Sequence, residues 1–449
     1  MSVHERFGFR TLDELKQKIS QLGINISLSE HFDVFHRTVP ISGNFVVPNS
    51  ISTLPMEGCD CKPDGGPSDL FTRRYRRLVG GGAGLIWWEA CAVIEEGRAN
   101  PLQMMLTEKN LPEYVALLRD LKIHGNNTNG YKPIHILQLT HSGRFSRPYD
   151  NKYRPLIAQN DPILDPLSGV DQSVQPVSDM YLDSLIEDYV KCSKLAQQAG
   201  FDGVDVKACH RYLVNELLAS TQRDGRYGGG FENRIRFLLS VICAIKAELG
   251  DDFIVACRFN VFDAQPYPYG FGVGKDDLWT FDDTEPLLLV KKLCQDGIQL
   301  LSNSAGNPYY IYPQVTRPFD YSSKGIPVPN EHPLESIARL FDFSRRIQMA
   351  AGEVPVVGNG YSWLRQFAPY AGAANIENKS CTLMGLGRSS FAYPNAPRDI
   401  LLNGKMDAEK CCIACSKCTQ LMRDSSVTGC VVKDTEIYVP FYKQIMGSK

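Results

Sequence analysis

The feature that most constrains this chain is an eightfold alternation. Between about residues 45 and 390, short apolar runs recur, separated by longer amphipathic stretches. The runs are 45–53, 83–93, 133–140, 203–210, 253–260, 298–306, 354–360 and 381–388. Each is short and almost continuously apolar, which predicts a strand buried on both faces. The stretches between them predict helices. In 179–200 and 233–250, apolar residues return every three or four positions, and Gly200 and Gly250 follow the last periodic residue. Strands alternating with helices predict a parallel sheet covered on its faces. Eight such units predict closure: an α/β fold, the (β/α)8 TIM barrel. The rival is an open doubly wound sheet, but no GxGxxG joins the first strand to a helix. The glycines of 80–84 precede a strand and read as a turn, not a phosphate cradle.

Three segments follow from this pattern: a helical extension at 1–28, the barrel at 29–400, and a C-terminal segment at 401–449 with an irregular tail. The net charge of −2 predicts no broad attraction to nucleic acid or anionic membranes. No apolar run reaches the ~20 residues that span a bilayer. The charged, amphipathic N-terminus lacks a signal peptide's apolar stretch, so a cytoplasmic location is expected. Nine of the 14 cysteines are scattered from Cys59 to Cys381. Segments such as Val-Ile-Cys243 predict buried thiols in a reducing compartment.

Chemistry in such a barrel sits at the C-terminal strand ends. Those ends carry Pro55, Met56 and Glu57; Glu89 and Ala90; Gln138, His141 and Arg144; Lys207, His210 and Tyr212; Arg258; Ser304 and Asn307; Gly358 and Asn359; Gly387 and Arg388. Cations on strands five and eight, with glycines ending strands seven and eight, suit a phosphate. Glycine lets backbone N–H groups approach, and Arg supplies a two-pronged clamp. Trp87 and Trp88 read as core residues ahead of a substrate platform. Five cysteines crowd the C-terminal segment. Cys412-x2-Cys415-x2-Cys418-x11-Cys430 can converge on one centre, either a zinc ion or a four-iron cluster, with Cys411 as the spare.

Several stretches resemble the old yellow enzyme family. IHILQLTHSGR (134–144) is similar to its third-strand signature. GFDGVDVKACHRYLVNELLASTQRDGRYGGGFENRIRF (200–237) closely resembles its fourth strand and following loop. TLPMEG (53–58) and MGLGRSSFAYP (384–394) resemble the first-strand flavin segment and the eighth-strand phosphate motif. The likeness runs from about residue 28 to 430 in order and spacing.

The resemblance implies noncovalent FMN. Pro55, Met56 and Glu57 would run along it, and Ala90 would border it. Gln138 would bond its pyrimidine edge, and Arg258 would sit by N1 and O2, where a cation favours the anionic hydroquinone. Gly358, Asn359, Gly387 and Arg388 would hold the phosphate. Lys207 and His210 occupy the positions of the family's carbonyl-gripping pair. Tyr212 matches the proton donor, with His210 as the alternative because imidazole titrates nearer neutrality. Arg211, where the family commonly has glycine, either adds a cation or faces solvent.

The cysteines resemble the [4Fe–4S] segment of the branch containing 2,4-dienoyl-CoA reductase and trimethylamine dehydrogenase. Those relatives usually continue into FAD- and NAD-binding domains, and this sequence ends at Lys449. Electrons would then come from NAD(P)H or a separate electron-transfer protein. The expected function is an FMN- and [4Fe–4S]-dependent ene-reductase acting on an α,β-unsaturated carbonyl or carboxylate, with Lys207 favouring an acidic substrate. An amine dehydrogenase or demethylase is the alternative. A Schiff-base lyase using Lys207 and a zinc-stabilised binding module are more distant. A homo-oligomer is compatible with the sequence.

Overall fold

The computed structural model describes residues 3–41, 43–308 and 310–447. Residues 1–2 of the expected N-terminal extension and 448–449 of the C-terminal segment lie outside them. Eight parallel strands close into a barrel: β1 (Ile51–Thr53), β2 (Leu85–Ala92), β3 (Ile134–Thr140), β4 (Gly203–Val206), β5 (Ile254–Phe262), β6 (Leu300–Ala305), β7 (Val356–Gly358) and β8 (Leu383–Leu386). β8 pairs with both β7 and β1, which leaves the barrel without an edge. The predicted helices form at Asp179–Ala199 and Phe231–Leu249, and Gly200 and Gly250 take the positive φ that ends them.

The strands are buried on both faces because their residues alternate between two cores. Outward residues such as Trp88, Leu137 and Val255 pack beneath the helices. Inward residues such as Leu85, Trp87, Ile136 and Leu300 fill the lower barrel. An antiparallel hairpin, Val39–Pro40 with Val46–Val47, packs against this second core. The first expected strand (45–53) is therefore two elements. Pro48 has no N–H for a ladder, and the chain bends after Val47 before entering the barrel at Ile51. Two further expectations change. Cys243 lies on the exposed face of its helix. The tail expected to be irregular forms a helix, Thr435–Gly447. Ile437, Tyr438, Phe441, Tyr442 and Ile445 recur at helical spacing and pack with Leu421 and Val431.

The N-terminal extension is helical only over Leu12–Leu22, where Thr11 and Glu14 form a capping box. Among the described residues, no helix is long and apolar enough to cross a membrane.

Candidate active site

The C-terminal strand ends enclose a cleft of about 900 Å³, open mouth included. Ten of the expected residues line it: Pro55, Met56, Glu57, Gln138, Lys207, His210, Arg258, Asn359, Gly387 and Arg388. Ala90, Gly358 and Tyr212 do not. Ala90 is paired beside Gln138 in the β2–β3 ladder, and its carbonyl accepts from Gln103 Nε2 at 3.1 Å. Gly358 is packed inside the sheet, where an added Cβ would lie 2.9 Å from Cys381 Sγ. Tyr212 lines an adjoining vestibule.

One wall is built by the turn after β4. Lys207 Nζ lies 3.4 Å from Glu57 Oε1 and 3.9 Å from the centre of the Tyr212 ring. His210 and Arg211 both adopt positive φ, a strained conformation for non-glycine residues. Two side-chain amides hold the strain: Asn260 Oδ1 accepts from the His210 N–H at 3.3 Å, and Asn215 Oδ1 from the Arg211 N–H at 2.7 Å. The turn sets His210 Nε2 3.0 Å from Ser304 Oγ. Burial, then the charges of Arg258 and Lys207, hold the imidazole well below its ordinary pKa. His210 is thus neutral at physiological pH, contrary to the expectation that it titrates near neutrality. Arg211 also departs from both expected roles. It is buried and ion-paired to Asp263 (2.7 Å) and Asp161 (3.3 Å).

Several other strand-end residues are structural. Arg144 is paired with Glu216 and Asp165, and His141 with the Tyr181 hydroxyl. Glu89 is buried and paired with Arg74. Trp87 and Trp88 are core residues; the Trp87 indole N–H donates to Asp205 at 2.9 Å and Trp88 stacks on Tyr75.

The cleft also carries the features of an anion site. Gln138 Nε2 donates to Asp205 Oδ2 at 2.6 Å, and the Arg258 backbone N–H donates to Asp205 Oδ1 at 2.7 Å. Asp205 was not foreseen from the sequence. Burial pushes its carboxyl up to about 6 despite those bonds. Arg388 Nη2 donates to the Pro318 carbonyl at 2.6 Å. Arg258 Nε and Arg388 Nη1 are buried without a hydrogen-bond partner, which marks a place for an acceptor that the protein does not supply. Beside Arg388, a Cβ built on Gly387 meets nothing closer than Met56 Sδ at 3.9 Å. Two guanidinium groups around an open glycine fit the phosphate and electron-rich edge of FMN.

Sequence reasoning also missed Thr316, Arg317 and Pro318 in the loop after β6, and Thr419 and Met422 on the helix Lys417–Arg423. Neither segment is near a strand end in sequence, so no periodic signal marks it.

Cys412, Cys415, Cys418 and Cys430 line one small pocket of about 350 Å³, and Arg388 forms part of its wall as well as part of the cleft. Cys411 is turned away into the core, its thiol 3.3 Å from the Asp407 carbonyl. Burial, then the neighbouring Cys412, pushes Cys418 up to about 11 and Cys430 up to about 12. Among the described residues, no group of three His, Cys, Asp or Glu side chains is arranged to hold a metal ion. The four thiols share a pocket without closing on a single point.

The sequence signature of the NADH:flavin oxidoreductase / NADH oxidase family matches residues 39–268. The chain belongs to this family. Over 244 residues it is 24% identical to the N,N-dimethylglycine/sarcosine dehydrogenase of Chromohalobacter salexigens, covering 51% of this chain and 32% of that protein. Over 377 residues it is 25% identical to the NADH oxidase of Thermoanaerobacter brockii, covering 83% of this chain and 52% of the oxidase. The chain thus spans about half or less of these two family members. Its fold matches that of 2-naphthoyl-CoA reductase in complex with 2-naphthoyl-CoA, with a TM-score of 0.68, 19% identity, and coverage of 89% of this chain and 57% of that one.

Proposed function

We propose that this flavoprotein binds FMN in the cleft and reduces the C=C bond of an α,β-unsaturated carbonyl compound or carboxylate. The observation that carries the reading is that Lys207 and His210 line the same cleft in which Arg258 and Arg388 carry buried N–H groups without an acceptor.

When bound, FMN supplies a hydride to the substrate's β-carbon. The protein's residues supply the rest. Arg388 and Gly387 hold the phosphate, with Asn359 beside them. Arg258 favours negative charge on the ring edge. Gln138 has its amide N–H committed to Asp205, so its carbonyl is the group left to accept from the ring. Lys207 and the neutral His210 bind the carbonyl oxygen and stabilise the charge that develops there. Tyr212 is set by the Lys207 ammonium over its ring, and its hydroxyl gives the α-carbon its proton. The electron pair comes from NAD(P)H or a separate electron-transfer protein.

The four-cysteine pocket supports a [4Fe–4S] centre held by Cys412, Cys415, Cys418 and Cys430. An all-thiol donor set in one pocket suits iron–sulfur ligation. A cluster there would pass single electrons to or from the flavin.

An amine dehydrogenase needs an aromatic surface for a cation. The Tyr212 ring beside the cleft already faces Lys207. Lys207 is committed to Glu57, which disfavours Schiff-base chemistry.

The test is an anaerobic assay of the FMN-loaded protein with a reduced viologen dye, using unsaturated acids, enones and acyl-CoA esters against a set of secondary and tertiary amines. Alkene reduction is expected. Amine oxidation without any alkene reduction would replace this reading.

A further inference from the structure

The vestibule next to the cleft holds two cations that the flavin site does not use. Its empty space, open mouth included, is about 370 Å³, and it shares Glu57 and Met422 with the cleft. It opens on the substrate side, since Tyr212 forms its wall and carries Lys207 over its ring. Arg147 follows β3, and Arg423 ends the helix Lys417–Arg423.

The guanidinium groups are held by neutral acceptors. Arg147 Nε donates to the Ala99 carbonyl at 3.0 Å, and Nη1 to the Arg423 carbonyl at 3.2 Å. Arg423 Nη1 donates to the Lys324 carbonyl at 2.9 Å, with Ser323 Oγ at 3.5 Å. These bonds orient both side chains and leave their charge uncompensated. The charge balance points the same way. Across cleft and vestibule, Lys207, Arg147, Arg258, Arg317, Arg388 and Arg423 face a single carboxylate, Glu57, in a chain of net charge −2. A flavin phosphate answers the cations near Arg388, and Glu57 answers Lys207. Arg147 and Arg423 remain. Two oriented, partly buried cations beside the substrate wall suit a second anion.

We infer that the vestibule binds an anionic group carried by the substrate at some distance from its activated C=C bond, with Arg147 and Arg423 as the residues that select it. The substrate class is then an unsaturated carbonyl compound with a separate carboxylate or phosphate. A dicarboxylic enoate and an acyl-CoA thioester both satisfy that chemistry. The inference rests on the reductase reading above.

The test uses the full-length FMN-loaded protein and its Arg147→Gln and Arg423→Gln variants. Substrates are paired: an enone bearing a remote carboxylate with its methyl ester, and an enoyl-CoA with the corresponding N-acetylcysteamine thioester. The charged-to-neutral ratio of kcat/KM is expected to fall roughly ten- to hundredfold in each variant, mostly through KM. The pair that responds identifies the anion's source. A saturated carboxylate analogue, which cannot turn over, is titrated by calorimetry; its Kd should rise by the same factor and weaken with added salt. An unchanged ratio and unchanged Kd in both variants would overturn the inference. So would a KM increase confined to NADPH, which would assign the vestibule to the electron donor. Binding of the saturated analogue without reduction of any alkene would instead defeat the reductase reading and leave the vestibule in place.

Discussion

Arg258 joins the barrel frame to the anion site. Its backbone N–H is tied to Asp205, while its side-chain Nε is buried without an acceptor. A charge-assisted bond to a ligand there contributes on the order of 1.5–3 kcal/mol. Arg258→Ala should therefore raise the Kd for FMN by roughly tenfold or more and slow flavin reduction; calorimetry and stopped-flow absorbance would check this, and an unchanged Kd would remove the residue from the site.

Asp205 gives a pH prediction. Its carboxyl is raised from 3.8 to about 6 in the folded protein. A raised folded-state value means that the native state holds the proton more tightly than the unfolded chain. The stability from this group is present below about 4 and is lost as pH rises through about 6. Function runs the other way. The charged form accepts from Gln138, Trp87 and the Arg258 backbone. Protonation removes an acceptor from that set and frees the Gln138 amide to turn. FMN affinity should fall as pH drops from about 7 to 5, with a midpoint near 6. The step should vanish in Asp205→Asn, a comparison that fluorescence titration of FMN can make. His210, held neutral by burial, should contribute no limb near its ordinary value to the pH–rate profile.

Among the elements, the turn after β4 determines the substrate wall. Consecutive left-handed residues at 210 and 211 persist because their surroundings over-determine them. Asn260 is central: it accepts from His210 N–H and donates to Asp263 Oδ1 at 2.8 Å and to the Gly306 carbonyl at 3.0 Å. Asn260→Ala should cost about 2–3 kcal/mol, since buried groups lose their partners. The denaturation midpoint would report it, and kcat should fall because His210 is no longer fixed. An unchanged midpoint would show that the turn holds itself. The register of β2, β3 and β4 does similar work, setting Ala90, Gln138 and Asp205 in one row across the barrel.

Across the whole molecule, the C-terminal segment is a working wall of the site. Arg73 and Arg77 grip Asp434, and Thr428 N–H donates to the Gly58 carbonyl at 2.7 Å, so the segment is fastened to the loop after β1. Met422 lines the cleft, and Arg388 borders both the cleft and the cysteine pocket. Cys418→Ser should remove the broad iron–sulfur absorbance of the purified protein while keeping the flavin peaks. A parent protein with flavin peaks, full zinc occupancy and no iron would defeat the iron–sulfur proposal.

The closed barrel, its helices and ten cleft residues were legible from the sequence, because burial on both faces leaves continuous apolar runs and strand ends lie at predictable places along them. Other features were decided by tertiary structure. A chain cannot show that Pro48 splits its first strand, that Arg211 spends its charge on Asp161 and Asp263, or that burial silences His210. Each depends on which distant groups arrive nearby and how much water they exclude. The same holds for Arg147 and Arg423, which lie 276 residues apart in sequence and are joined by a single hydrogen bond. Local periodicity is written along the chain, whereas desolvation and charge pairing exist only once the chain has closed on itself.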